Sequence, residues 1–109
     1  MTIKQLCEKT DLKCVAGEAF LDKQVSGVYA CDLLSWVIGR AEKDNALVTV
    51  MTNVNVIAVA VMADLSCVIL TEGVKLDETA IAKAAENEIV VLSCQKTTFE
   101  TCRMLADVL

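Results

Sequence analysis

Histidine and proline are both missing from this 109-residue chain. Losing histidine removes the commonest general base near neutral pH and the commonest metal ligand together. With no proline and 4 glycines, there is no low-complexity segment and no flexible or polyproline linker. Aromatic residues make up 4%, so any core must be aliphatic. Basic residues are few as well, 10 Lys and Arg against 15 Asp and Glu, for a net charge of −5. They are scattered and never form a block, which argues against nucleic acid, since phosphate binding needs a concentrated cationic surface. No apolar run approaches the roughly 18 residues of a spanning helix, and the N-terminus lacks a charged-then-apolar signal pattern. No membrane partner and a cytoplasmic location are the expectations. No G-x-x-x-x-G-K-[ST] stretch exists, so a P-loop is excluded.

What is abundant is small aliphatic surface. Hydrophobic residues reach 55%, mostly Val, Ala, Leu and Ile. A chain of this length makes one domain, residues 1–109, with a single core. A domain this apolar either buries nearly everything or keeps a patch for a partner, and a homodimer is the expected outcome. Six cysteines (Cys7, Cys14, Cys31, Cys67, Cys94, Cys102) have no pair at C-x₂-C or C-x₂₋₄-C spacing, the arrangement that clamps zinc or an iron–sulfur cluster. They read as reduced thiols used as small hydrophobes.

Residues 67–94 set the architecture. Cys67–Leu70 is a short apolar run closed by Thr71-Glu72-Gly73. Asp77 is placed to N-cap a helix, with Leu76 and Ile81 at hydrophobic-staple spacing. Ile81, Ala84 and Ala85 form its apolar stripe, and Asn87 closes it in a left-handed conformation. Ile89–Leu92 is a second unbroken apolar run, as expected of a strand covered on both faces. Strand, helix and strand in this order make a right-handed βαβ unit.

Upstream, Thr2-x-x-Gln5 is a capping box opening a short helix with Ile3, Leu6 and Cys7 inward. Leu12–Val15 alternates like a half-buried strand ending at Gly17, and Glu18–Gln24 is a polar connection over Phe20 and Leu21. Val25–Ala30 is a strand. Asp32 is placed to cap a helix from Leu33 to about Ile38, stopped by Gly39, with Leu33, Leu34, Val37, Ile38 and Ala41 on one side and Trp36 on its flank. Ala46–Met51 is a strand. Val54–Ala63 fits a strand after a Thr52-Asn53 turn, or a helix buried on most sides, and periodicity does not separate these. Thr97-x-x-Glu100 is a second capping box, opening a terminal helix with Phe99, Cys102, Leu105, Ala106 and Leu109 inward.

This order of signals resembles a known family. Asp32-Leu33-Leu34 after a strand, ALVTV followed by TNVNVIAVA, the link ADLSCVILTEG, and IVVLSC with Thr97 and Phe99 are similar to the DRTGG domain. The likeness is best from Val25 to Leu105 and is strongest to short, stand-alone versions, some encoded near iron-only hydrogenase genes in anaerobic bacteria. Longer relatives lie between CBS domains in regulated pyrophosphatases or precede the catalytic domain of a phosphotransacetylase. VILTEG and LDETAIAKAAENEIVVLSC also look like the N-terminal, non-catalytic domain of HPr kinase. The resemblance implies a single α/β domain with a mainly parallel sheet, βαβ units and flanking helices. It also implies a helix over 54–63, dimer formation, and a role in regulation or assembly with no cofactor and no catalysis. Asp32, Thr71 and Gly73 match the family's recurrent residues. No arginine stands near Asn53-Val54, and Glu72 replaces the first glycine of Thr-Gly-Gly.

In open α/β sheets, ligands bind beyond the carboxyl ends of the strands. Those ends offer Asp32, Thr52, Asn53, Thr71, Glu72, Gly73 and Ser93 as candidate ligand-binding residues, with Cys94 and Gln95 beside them. Helix N-termini would aim N–H groups into such a pocket, although Asp32 and Glu72 would repel an anion. The same residues serve equally as caps and turn formers. Asp32, Glu72 and Asn53 could instead hold Mg²⁺, but no metal site is assigned. Cys94 is the best-placed thiol, with only Lys96 nearby to activate it, and no catalytic residue is assigned. Trp36, the only tryptophan, is the candidate interface anchor. The leading expectation is a non-catalytic, homodimeric regulatory or adaptor domain with a protein partner in anaerobic hydrogenase metabolism. Alternatives are a sensor for a nucleotide-like small molecule at the strand ends, and a thiol-based redox or metal-handling protein.

Overall fold

The computed structural model describes all residues, 1–109. Five strands form one sheet: β1 (Lys13–Ala16), β2 (Gly27–Ala30), β3 (Asn45–Thr49), β4 (Cys67–Leu70) and β5 (Val90–Ser93). Their spatial order is β1-β5-β4-β3-β2. β2 to β5 run parallel, and β1 is added antiparallel to β5 with a register shift between Cys14 and Ala16. The helices are α1 (Ile3–Lys9), α2 (Leu34–Arg40), α3 (Val54–Met62), α4 (Glu78–Glu86) and α5 (Thr98–Val108), with a 3-10 turn at Glu18–Phe20.

The sheet is covered on both faces, which is why β3, β4 and β5 read as unbroken apolar runs. On one face Val37 of α2, Val56, Ile57 and Ala60 of α3, and Ala80 and Ala84 of α4 pack on Leu47, Val68, Leu70 and Val91. On the other, Ile3 and Leu6 of α1 and Leu105 of α5 pack on Ala46, Val48, Ile69, Val90 and Leu92. Residues 54–63 are therefore helical, as the family resemblance implied, with Asn53 Oδ1 accepting the Asn55 N–H at 2.9 Å as the N-cap. Both capping boxes form, at Thr2/Gln5 and Thr97/Glu100.

Several expectations need correction. Asp32 does not cap α2; Leu33 stands at the N-cap position without a side-chain bond, and the helix runs through Gly39 to Arg40. Only Val37 of the expected α2 stripe is fully buried, while Leu33 and Ile38 are exposed. Asp77 occupies its N-cap position but makes no capping bond. The buried residues of α4 are Ala80 and Ala84, with Leu76 buried just before the helix; Ala84 of the expected stripe is inward, but Ile81 and Ala85 are exposed and Ala80 takes the second contact. Alanine at both contact points lets the helix lie close on the sheet, and a branched side chain there would hold it off. Phe99 is 74% exposed, and Ala106 and Leu109 are also outside. The polar Thr101 takes the inward position because its hydroxyl donates to the Thr97 carbonyl at 2.8 Å.

The left-handed residue closing α4 is Glu88, at φ 58°, and Asn87 keeps a negative φ. Asp44 and Asp64 take the same conformation where the chain turns back into β3 and β4. At two of these returns the next residue's N–H reaches back five positions, Leu65 to Ala60 and Ile89 to Ala84, both at 2.9 Å. These are Schellman closures with an acidic residue where glycine is usual, and Leu65 and Ile89 are the buried contacts that accompany them. Gly17 is a true glycine requirement: its φ is 78°, and a Cβ would stand 2.4 Å from the Ile89 carbonyl oxygen.

Candidate functional site

Each parallel strand delivers its C-terminal residues to one end of the sheet, so all seven candidate site residues lie there. Most of their polar atoms, however, are already engaged. Asp32 follows β2, and its Oδ1 accepts the Thr49 hydroxyl at 2.8 Å and the Val50 N–H at 3.0 Å. Thr49 is fully buried, so Asp32 satisfies two donors at the frayed end of β3. Asn53 is spent as the α3 cap, and the Thr52 carbonyl accepts the Asp77 N–H at 3.0 Å.

The β4 and β5 ends are stitched together more tightly. Chain leaving β4 goes to α4 on one face, while chain leaving β5 goes to α5 on the other. Strands whose exits diverge in this way open a crevice between their carboxyl ends. Here Thr71-Glu72-Gly73 fills part of it. The Glu72 N–H donates to the Lys96 carbonyl at 2.8 Å and the Gly73 N–H to the Cys94 carbonyl at 3.1 Å. The Thr71 hydroxyl lies 2.8 Å from that of Thr98. Glu72 Oε2 accepts the Thr98 N–H at 2.9 Å, so a carboxylate of the chain itself sits at the α5 N-terminus, where a bound anion would go.

On the α4 side of the crevice a cleft of about 340 Å³ remains. Val15, Leu70, Leu76 and Ile81 give it apolar walls, and Ser93, Gln95 and Lys75 supply a hydroxyl, an amide and an ammonium. Gly73 lies at its rim with φ 69°, and a Cβ there would meet Gln95 Oε1 at 2.5 Å. The cleft can take a small molecule with an apolar body and a polar or anionic end. Of the seven candidates only Gly73 and Ser93 line it. Val15, Lys75, Leu76 and Ile81 were missed. Val15 enters through the antiparallel β1–β5 pairing, for which the sequence carries no signal, and Lys75 looked like one more scattered cation.

Asp32, Asn53 and Glu72 do not come together as a Mg²⁺ site. Each of the three side chains commits one oxygen to a different backbone N–H, and no group of three or more His, Cys, Asp or Glu side chains is placed to hold a metal. Burial pushes the Cys67 thiol up to about 12 and raises Cys7, Cys14 and Cys102 as well, so these four are thiols at neutral pH. Cys94 is buried, with its Sγ 3.3 Å from the Thr101 hydroxyl. Trp36 is 48% exposed, with the Arg40 guanidinium 3.8 Å above its ring centre, a surface cation–π pair.

A sequence model of the DRTGG domain matches residues 5–108. The chain belongs to the DRTGG domain family. Among solved structures, this DRTGG domain is similar to the CBS and DRTGG domains of the regulatory region of Clostridium perfringens pyrophosphatase, complexed with the activator diadenosine tetraphosphate. The TM-score is 0.74 at 15% identity, over 99% of this chain and 47% of that one. At that identity the likeness is one of fold: a single α/β domain with a mostly parallel five-stranded sheet. The chain thus spans about half of the length of that structure. No curated protein matches the sequence. No helix is long and apolar enough to cross a membrane.

Proposed function

We propose that this DRTGG domain is a non-catalytic regulatory or adaptor module that acts as a homodimer in the cytoplasm. One observation carries the reading. Of ten exposed large hydrophobic residues, seven (Val28, Leu33, Trp36, Ile38, Val54, Val61 and Met62) lie on or beside β2, α2 and α3. α3 supports it further: its inward stripe is buried, its outward residues Val54, Ala58, Val61 and Met62 are apolar with Asn55 the one polar exception, and no charged residue occurs from Asn45 to Ala63. An outward helix face this poor in polar residues is the kind of surface that a partner covers. A protein partner in anaerobic hydrogenase metabolism is part of the proposal and rests on the sequence likeness alone. Thermal unfolding over a hundredfold range of protein concentration tests the dimer. Its midpoint should rise with concentration, because association stabilises the folded chain by mass action; an unchanged midpoint counts against it.

The cleft beside Gly73 and Ser93 favours a second reading, a sensor for a nucleotide-like molecule. The Clostridium perfringens regulatory region is complexed with a dinucleotide activator, and Lys75 would supply a cation for a phosphate. Opposed to it, Glu72 occupies the neighbouring α5 N-terminus. Diadenosine tetraphosphate and adenine nucleotides at millimolar concentration should raise the unfolding temperature if this reading holds. No shift with any of them removes it.

A further inference from the structure

The two edges of the sheet are not alike. β1 carries Lys13 and an irregular register, devices that discourage further strand pairing. β2 has neither: Gly27-Val28-Tyr29-Ala30 holds no charge and keeps an unbroken register with β3. Asp32 is the sole charged residue between Gln24 and Gly39, and its carboxylate is turned toward β3.

The Cys31 N–H donates to the Val48 carbonyl. In a parallel ladder, alternate residues bond to the same neighbour, so Tyr29 and Gly27 also face β3. The backbone N–H and C=O groups of Val28 and Ala30 point outward, away from the sheet. Two donors and two acceptors are thus presented along an uncharged edge.

We infer that β2 pairs antiparallel with β2 of a second copy, joining two sheets into one of ten strands. This rests on the homodimer reading above and specifies its seam at β2, which accounts for the exposed Val28; Val54, Val61 and Met62 of α3, in a groove against α4, lie outside it. A two-fold axis normal to the sheet makes the pairing antiparallel, and the outward groups then fix the register. Val28 faces Ala30 of the other copy, each pair exchanging two hydrogen bonds, four in all. Tyr29 meets its own copy at the axis as a non-hydrogen-bonded pair, with Cα atoms about 4.5 Å apart. The self-match is complete: every outward donor finds an acceptor, and no like charges oppose.

The flanks fit the same occupant. α2 packs beside α3, and its other side overlooks the β2 edge. Trp36 and Ile38, both exposed, stand about 100° to either side of buried Val37, and Trp36 carries the Arg40 guanidinium over its ring. On the opposite face, Val28 is 36% exposed and would be covered across the seam.

Ala30→Pro tests the inference, since it deletes an outward N–H and no bond to β3. A second variant, Tyr29→Cys in a Cys31→Ser background, places two thiols at a spacing that suits a disulfide, whose Cα atoms lie about 4.4–6.8 Å apart. Met62→Cys in the same background, on the outward face of α3, is the control. Sedimentation, circular dichroism and mild oxidation are read on the full chain. Expected are a dimeric wild type, a folded Ala30→Pro chain dimerising about 30-fold or more weakly, and cross-linking through residue 29 but not 62. A wild-type dimer that persists in Ala30→Pro, or cross-links through 62 in preference to 29, overturns the β2 seam while leaving the homodimer in place. A monomeric wild type overturns both.

Discussion

Glu72 Oε2 accepts the backbone N–H of Thr98 at 2.9 Å, across 26 positions of sequence. Thr98 is the first residue of α5, so the loop after β4 caps the helix after β5. Glu72 does this from a left-handed backbone, φ 61°, which costs a non-glycine residue about 1–2 kcal/mol.

Strain and cap oppose each other at Glu72, and two substitutions separate them. Glu72→Ala keeps the strain and loses the carboxylate, which is favourable beside a helix N-terminus by about 0.3–1 kcal/mol. Glu72→Gly loses the carboxylate and relieves the strain. Urea unfolding should rank Glu72→Ala below wild type and Glu72→Gly above Glu72→Ala by about 1 kcal/mol. Equal stabilities for the two variants would mean that the backbone at 72 is unstrained.

Asp32 should behave as a structural acceptor. Asp32→Ala leaves the buried Thr49 hydroxyl and the Val50 N–H without their partner and should cost about 1–3 kcal/mol. Asp32→Asn retains an acceptor oxygen and should cost less than half as much. If both variants lose the same amount, charge rather than hydrogen bonding is what Asp32 contributes.

Ser66 offers a gain. Its hydroxyl is buried with no hydrogen-bond partner, so Ser66→Ala should stabilise by about 1 kcal/mol. A destabilised variant in the same urea titration would contradict this.

Acid should weaken α5 through Glu100. Hydrogen bonds from the Thr97 backbone and side chain hold its carboxyl below its ordinary 4.5. A folded-state pKa that is depressed contributes stability fully present above the unfolded value, and lost as pH falls through the folded one. Wild type should therefore lose stability from about pH 5 downward more steeply than Glu100→Gln, which keeps the capping geometry that Gln5 already shows in α1. Parallel curves for the two proteins would refute it. Asp11, lowered chiefly by its bond from Lys96, adds the same trend to both.

The βαβ core was legible because β4 and β5 are buried on both faces, and only continuous apolar runs can be. The capping boxes were legible because they are local, with cap and third residue in one turn. Asp32 was misread for the same reason. Its preference for a cap is a local statistic, and it lost to the buried Thr49 hydroxyl and the Val50 N–H at the end of β3, which only the tertiary structure brings to it. Phe99 and Ile81 were misplaced because hydrophobicity alone does not set the phase of a helix; Thr101, Ala80 and Ala84 fit against the sheet where larger side chains do not. Around the cleft, Gly73 and Ser93 followed from the rule about strand ends, while Val15 depended on an antiparallel addition that no local pattern announces.

The central claim is that this DRTGG domain works as a symmetric pair. Sedimentation equilibrium of the wild-type chain measures it most directly. A mass near twice 11.8 kDa at micromolar concentration is the predicted result, and a mass of 11.8 kDa persisting into the high micromolar range would contradict it.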